Sequence, residues 1–188
     1  MPSNTTLRWP RRGRAGTMDF MHAILLGLLA LGGHSGPSTT QAPLAPLPHV
    51  RPLDPLAADL LSTGTRSSST FAGLLAGLDQ SGGFVVYVTT SPDPERRGSI
   101  VFVSRAAGVT YLLVRVCTRQ NVTDRIAVLA HELEHATEIA AADPPVASEQ
   151  DLHRLYTCIG IDSTGQHLES EAAVRTERAV HHELVKRP

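Results

Sequence analysis

His131-Glu132-Leu133-Glu134-His135 is where this chain of 188 residues gathers the groups best able to do chemistry. Residues four apart on a helix sit one turn apart on the same face. Two imidazoles so placed can converge on one ion at Zn–N distances of about 2.0–2.1 Å. Glu132 lies about 100° around the helix from His131, within reach of a water on that ion without being a ligand itself. Zinc lowers the pKa of such a water toward about 7, and an adjacent carboxylate can take its proton. The H-E-x-x-H spacing therefore predicts His131 and His135 as zinc ligands and Glu132 as general base.

A catalytic zinc usually has three protein ligands and one open position. A nearby third histidine is absent, because Glu138 and Ala141 stand where the longer pattern H-E-x-x-H-x-x-G-x-x-H has Gly and His. Two glutamates compete in His167-Leu-Glu169-Ser-Glu171-Ala-Ala173. On a helix, Glu169 shares a face with Ala172, Ala173, Thr176, Val180 and Leu184, whereas Glu171 shares one with Arg175, Arg178 and His182. With Arg175 four residues on, Glu171 reads as one end of a solvated pair. A carboxylate on an apolar face needs a cation, so Glu169 is the expected third ligand, with Glu171 and then Asp162 as alternatives. Tyr156, His153, His167, His181 and Arg115 can each donate a hydrogen bond to a developing oxyanion, and the sequence does not choose among them.

These groups need a scaffold. Thr70–Gln80 has apolar residues at helical spacing, closed by Ser81-Gly82-Gly83. Phe84–Thr89, Ser99–Ser104 and Val109–Cys117 read as strands, with a hairpin turn at Arg105–Gly108. From Val122 onward the periodicity is helical: one helix over about 123–142, stopped by Asp143-Pro144-Pro145, a second over about 148–159 with Ser148 and Asp151 in capping-box spacing, and a third over about 167–186. Thr63–Ser69 reads as a polar loop. The pattern predicts an α+β domain: a short N-terminal helix, a small three-stranded antiparallel or mixed sheet, then three helices with the H-E-x-x-H helix first. The strand 109–117 is a candidate edge for binding an extended peptide.

Upstream, Arg8, Arg11, Arg12 and Arg14 precede an apolar run from Phe20 to Leu31 and then small residues. That run is too short for a bilayer, which needs about 20 apolar residues, and reads as a signal peptide or membrane-targeting segment over 1–33. Export to the periplasm or outside the cell follows. Prolines 37, 43, 46, 48, 52 and 55 make 34–58 an extended linker, leaving 59–188 as the domain. In an oxidising compartment Cys117 and Cys158 could pair, a point the sequence leaves open. A formal charge of -1 and 4% aromatic residues exclude a basic, base-stacking nucleic-acid surface. The membrane enters only through the N-terminal segment.

Ile126-Ala-Val-Leu-Ala-His-Glu-Leu-Glu-His-Ala-Thr-Glu-Ile-Ala140, then Leu155-Tyr156, Ile159-Gly160 and Leu168-Glu-Ser-Glu-Ala-Ala173, resembles small bacterial metallopeptidases of the gluzincin type over roughly residues 70–186. The resemblance implies a zincin-like fold, Zn2+ as cofactor and a peptide or protein substrate. It assigns His131 and His135 as ligands, Glu132 as base and Glu169 as third ligand. The N-E-x-x-S-D form of the third-ligand helix is absent, which removes the Asp that would orient a ligand. A non-catalytic zinc-stabilised binding or envelope domain is the alternative, and a metal-free helical interaction protein a third reading.

Overall fold

The computed structural model describes residues 48–93, 96–161 and 169–186, all within one compact unit, Ala45–Pro188. The elements run β1 (Val50–Pro52), α1 (Pro55–Ser67), α2 (Ser69–Gln80), β2 (Phe84–Ser91), β3 (Gly98–Ala106), β4 (Val109–Cys117), α3 (Val122–Ala140), α4 (Glu149–Ile159) and α5 (Glu171–Val185). The fold is α+β. The expected details need correction: the sheet has four strands, not three, and a strand and two helices precede β2 in place of one short helix. The H-E-x-x-H helix is α3, third of five among the described residues.

The sheet is mixed, in the order β1-β2-β4-β3. β1 and β4 both pair parallel with β2, and β3 pairs antiparallel with β4. Parallel partners need a crossover, and α1 and α2 supply it between β1 and β2. β4 is therefore an interior strand, paired on both sides, and cannot offer an edge to a peptide; that edge belongs to β3. At the β3–β4 hairpin Ala107 (φ 49) and Gly108 (φ 78) are both left-handed, the signature of a tight primed turn.

Part of the expected linker, residues 48–58, is folded. β1 is a short edge strand, where proline is tolerated, and Pro55 stands in the first turn of α1, where its missing N–H costs nothing. Asp54 caps α1: its carboxylate accepts from Ala57 N at 2.8 Å and also from Thr90 N and the Thr89 hydroxyl on β2. Burial pushes this carboxyl up, but those hydrogen bonds together bring it below its usual range. Residues 63–67, expected as loop, continue α1, because Gly64 lets the Phe71 ring of α2 pack directly on its backbone (a Cβ there would lie 2.8 Å from the ring).

One core joins the helices to the sheet. Val86, Val88, Leu112, Val114 and Val116 meet Leu60, Phe71, Leu78, Leu129 and Leu133, all buried. Fully burying each such side chain contributes about 1.5–3 kcal/mol. Cys117 is buried, with its thiol directed to Asp93 O at 2.8 Å, and Cys158 is exposed; both are free thiols. The apolar run over 20–31 lies outside the described residues, among which no helix is long and apolar enough to cross a membrane.

Candidate metal centre

α3 begins at Asn121, whose side chain caps Asp124 N at 2.9 Å, and its inward stripe of Ile126, Leu129, Ala130, Leu133 and Ala136 fixes its rotation against the sheet. That rotation buries His131, Glu132 and His135, at 8%, 7% and 1% exposure. The two ring Nε2 atoms face each other at 3.1 Å. Their far nitrogens are turned to carboxylates. His135 Nδ1 lies 2.9 Å from Glu138 Oε2, and His131 Nδ1 lies 3.1 Å from Glu177 Oε2 on α5, close but not aligned as a hydrogen bond.

This arrangement has a consequence for the Nε2 pair. A neutral imidazole whose Nδ1–H is turned to a carboxylate leaves Nε2 as a bare acceptor. Two bare acceptors 3.1 Å apart repel unless a cation lies between them, either a proton or a metal ion. Without a metal, burial lowers the His131 pKa, but contact with Glu177 and the charges of Glu132 and Glu169 raise it above its usual value overall.

Glu169 brings its Oε2 to 3.7 Å from His131 Nε2. Three donors around one ion at about 2.0–2.1 Å stand about 3.3 Å apart, so 3.1 and 3.7 Å bracket the required spacing. The trio is not closed: among the described residues no three His, Cys, Asp or Glu side chains form a ready-made ligand set. The opening is at Glu169, whose side chain is 41% exposed. The spacing places Glu169 on a helix over about 167–186, and the structure corrects this. Ser170 caps α5 by accepting from Ala173 N at 3.1 Å, so the helix starts at Glu171 and Glu169 precedes it, in the bridge that pairs Gly160 with Ser170. Glu171 points away, toward Arg175 on the exposed face. Asp162 and His167 lie outside the described residues.

Glu132 faces β3. A Cβ on Gly98 would lie 2.5 Å from its Oε1 and 2.5 Å from Val128 Cγ1, so only glycine lets the strand pass this close. Burial pushes the Glu132 carboxyl up to about 7; His131 opposes the rise, and Glu169 and Glu177 add to it. A carboxyl held there can both take and give a proton near neutral pH.

Around this centre stands a ring of supporting groups, of which the sequence marks only Tyr156, and that as an oxyanion donor. The Tyr156 hydroxyl donates to Glu138 Oε2 at 2.9 Å and lies 2.9 Å from His135 Nδ1, and Ser170 donates to Glu138 Oε1 at 2.5 Å. Glu177 is held in turn by Arg97 at 2.9 Å. Burial alone would raise the Glu138 carboxyl, but its contacts with His135, Ser170 and Tyr156 bring it below the usual range. Of the others, only Glu138, three residues after His135 on the same helix, carries a local signal.

Of the candidate oxyanion donors among the described residues, only Tyr156 reaches this centre. Tyr156 is buried behind His135, His153 is exposed beside Thr157, His181 pairs with Asp124 at 3.3 Å, and Arg115 is exposed on β4 among Ser91, Asp93, Arg96 and Ser99. Comparison with known protein families, curated proteins and solved structures finds no match.

Proposed function

We propose that the chain is a zinc-dependent hydrolase, most simply a metallopeptidase of the gluzincin type that acts after export on peptides or proteins. The observation that carries this reading is the pair of Nε2 atoms 3.1 Å apart, each on a ring whose Nδ1 is turned to its own carboxylate. Carboxylates in that position fix ring orientation and raise ligand basicity, the usual support of a metal-binding histidine. His131 and His135 would hold the ion, with Glu169 turning in as the third ligand. When bound, zinc supplies a water acidic enough to ionise near neutral pH and polarises a substrate carbonyl.

The chain's own residues do the rest. Glu138, Tyr156 and Ser170 lock His135 from behind, and Arg97 and Glu177 hold His131. Glu132, pressed against Gly98, takes a proton as the nucleophile forms and returns it to the departing amine. The outer edge of β3 runs past this carboxylate, so an extended peptide adding to it comes within reach of Glu132.

A non-catalytic zinc-stabilised domain is the second reading, favoured by the burial of Glu132. One experiment separates the two. Purified protein should carry about one zinc per chain, lost in His135→Ala, and Glu132→Gln should keep the metal while hydrolysis of unfolded casein disappears. Zinc without hydrolysis in the unaltered protein leaves the second reading. No metal in either protein removes both.

A further inference from the structure

Beside Glu177, α5 and Arg97 at the start of β3 bound a cleft of about 350 Å3 lined by Arg97, Val174, Glu177, Arg178 and His181. Its charges do not balance. Its one lining carboxylate, Glu177, is already shared between His131 at 3.1 Å and Arg97 at 2.9 Å. His181 has Asp124 at 3.3 Å. Arg178 has no hydrogen-bond or ion-pair partner among the described residues. A guanidinium left over in a concave site concentrates anions, and its planar fork matches a carboxylate with two parallel hydrogen bonds.

We propose that this cleft is a subsite for a substrate carboxylate, either an acidic side chain or the C-terminal carboxylate of a peptide, with Arg178 as its contact. The proposal rests on the peptidase reading and adds a substrate class to it. Position supports it as well as charge. Glu177 belongs to both places: it lines the cleft, and its carboxylate lies 3.1 Å from His131 Nδ1. An extended peptide advances about 3.3–3.6 Å per residue, so a side chain one or two residues from a bond held at His131 and His135 reaches the neighbourhood of Glu177. Val174 gives the stem of such a side chain an apolar surface.

The test reads binding, so that it stands apart from turnover. Three peptides of one length are titrated into the full chain by calorimetry: alternating Glu-Ala with blocked ends, alternating Gln-Ala with blocked ends, and the Gln-Ala peptide with a free C-terminus. One of the two anionic peptides should bind about tenfold tighter than the neutral one, and which of them does so names the source of the carboxylate. Arg178→Glu should abolish the preference, and Arg178→Gln should weaken it should the charge reversal perturb α5. Equal or undetectable binding of all three peptides overturns the subsite, as does a preference that survives both variants. A protein that cleaves all three alike keeps the peptidase reading and loses this one; one that discriminates in binding but cleaves none does the reverse.

Discussion

His135 is the most enclosed polar side chain among the described residues, and its orientation is over-determined: Glu138, Tyr156 and the facing His131 all act on one ring. Glu138→Gln keeps the size of that side chain and removes its charge. We expect zinc affinity to fall about 10–100-fold, the usual cost of losing such an outer partner, with the helical circular dichroism unchanged. Competition with a chelator of known affinity measures it, and an unaltered zinc affinity would show that the carboxylate is idle. At this scale the sequence spoke clearly about His131, Glu132 and His135, whose spacing within one helix carries the geometry. It was silent about Glu177 and Arg97. Their roles depend on how α5 and β3 dock on α3, and no local pattern encodes docking.

Each element was legible to the extent that its signals were local. Ser148 caps α4 by accepting from Asp151 N, as their spacing announces, while the Asp151 carboxylate accepts from the Ser148 hydroxyl and from Ala147 N in place of Ser148 N. The alternation Thr110, Leu112, Val114, Val116 faces inward along β4 as written. β1 was hidden because three residues flanked by prolines make no pattern, and the polar end of α1 because its stability comes from Asp54 and the Phe71 contact. The β3–β4 hairpin was expected from Gly108, yet Ala107 is also left-handed, at φ 49. A residue with a Cβ is strained there by about 1–2 kcal/mol. Ala107→Gly should therefore raise stability by about 0.5–1 kcal/mol after its own entropic cost, read as a higher urea midpoint with unchanged slope. A lower midpoint would mean that the turn is relaxed as it stands.

Across the whole molecule, the last helix is fastened to α2, far earlier in the chain. Glu183 accepts from Thr70 N and from the hydroxyls of Thr70 and Ser69 at the start of α2. Hydrogen bonds from Ser68 and then Thr70 hold its carboxyl down at about 2, against an ordinary 4.5. A depressed carboxyl stabilises the fold above its unfolded value and loses that contribution as pH falls through its folded value. Glu183→Gln should therefore be less stable than the native chain by about 1 kcal/mol at pH 7, the usual worth of a half-exposed carboxylate at a helix start. The gap should narrow between pH 4.5 and 2; a gap that stays constant across that range would assign the effect to packing alone. The same long-range tether bears on the order of synthesis. The histidines leave the ribosome well before Glu169 and Glu177 do, and a chain that stops short of them lacks both carboxylates that stand beside His131. The surroundings of the two imidazoles are therefore assembled only when α5 docks on α3.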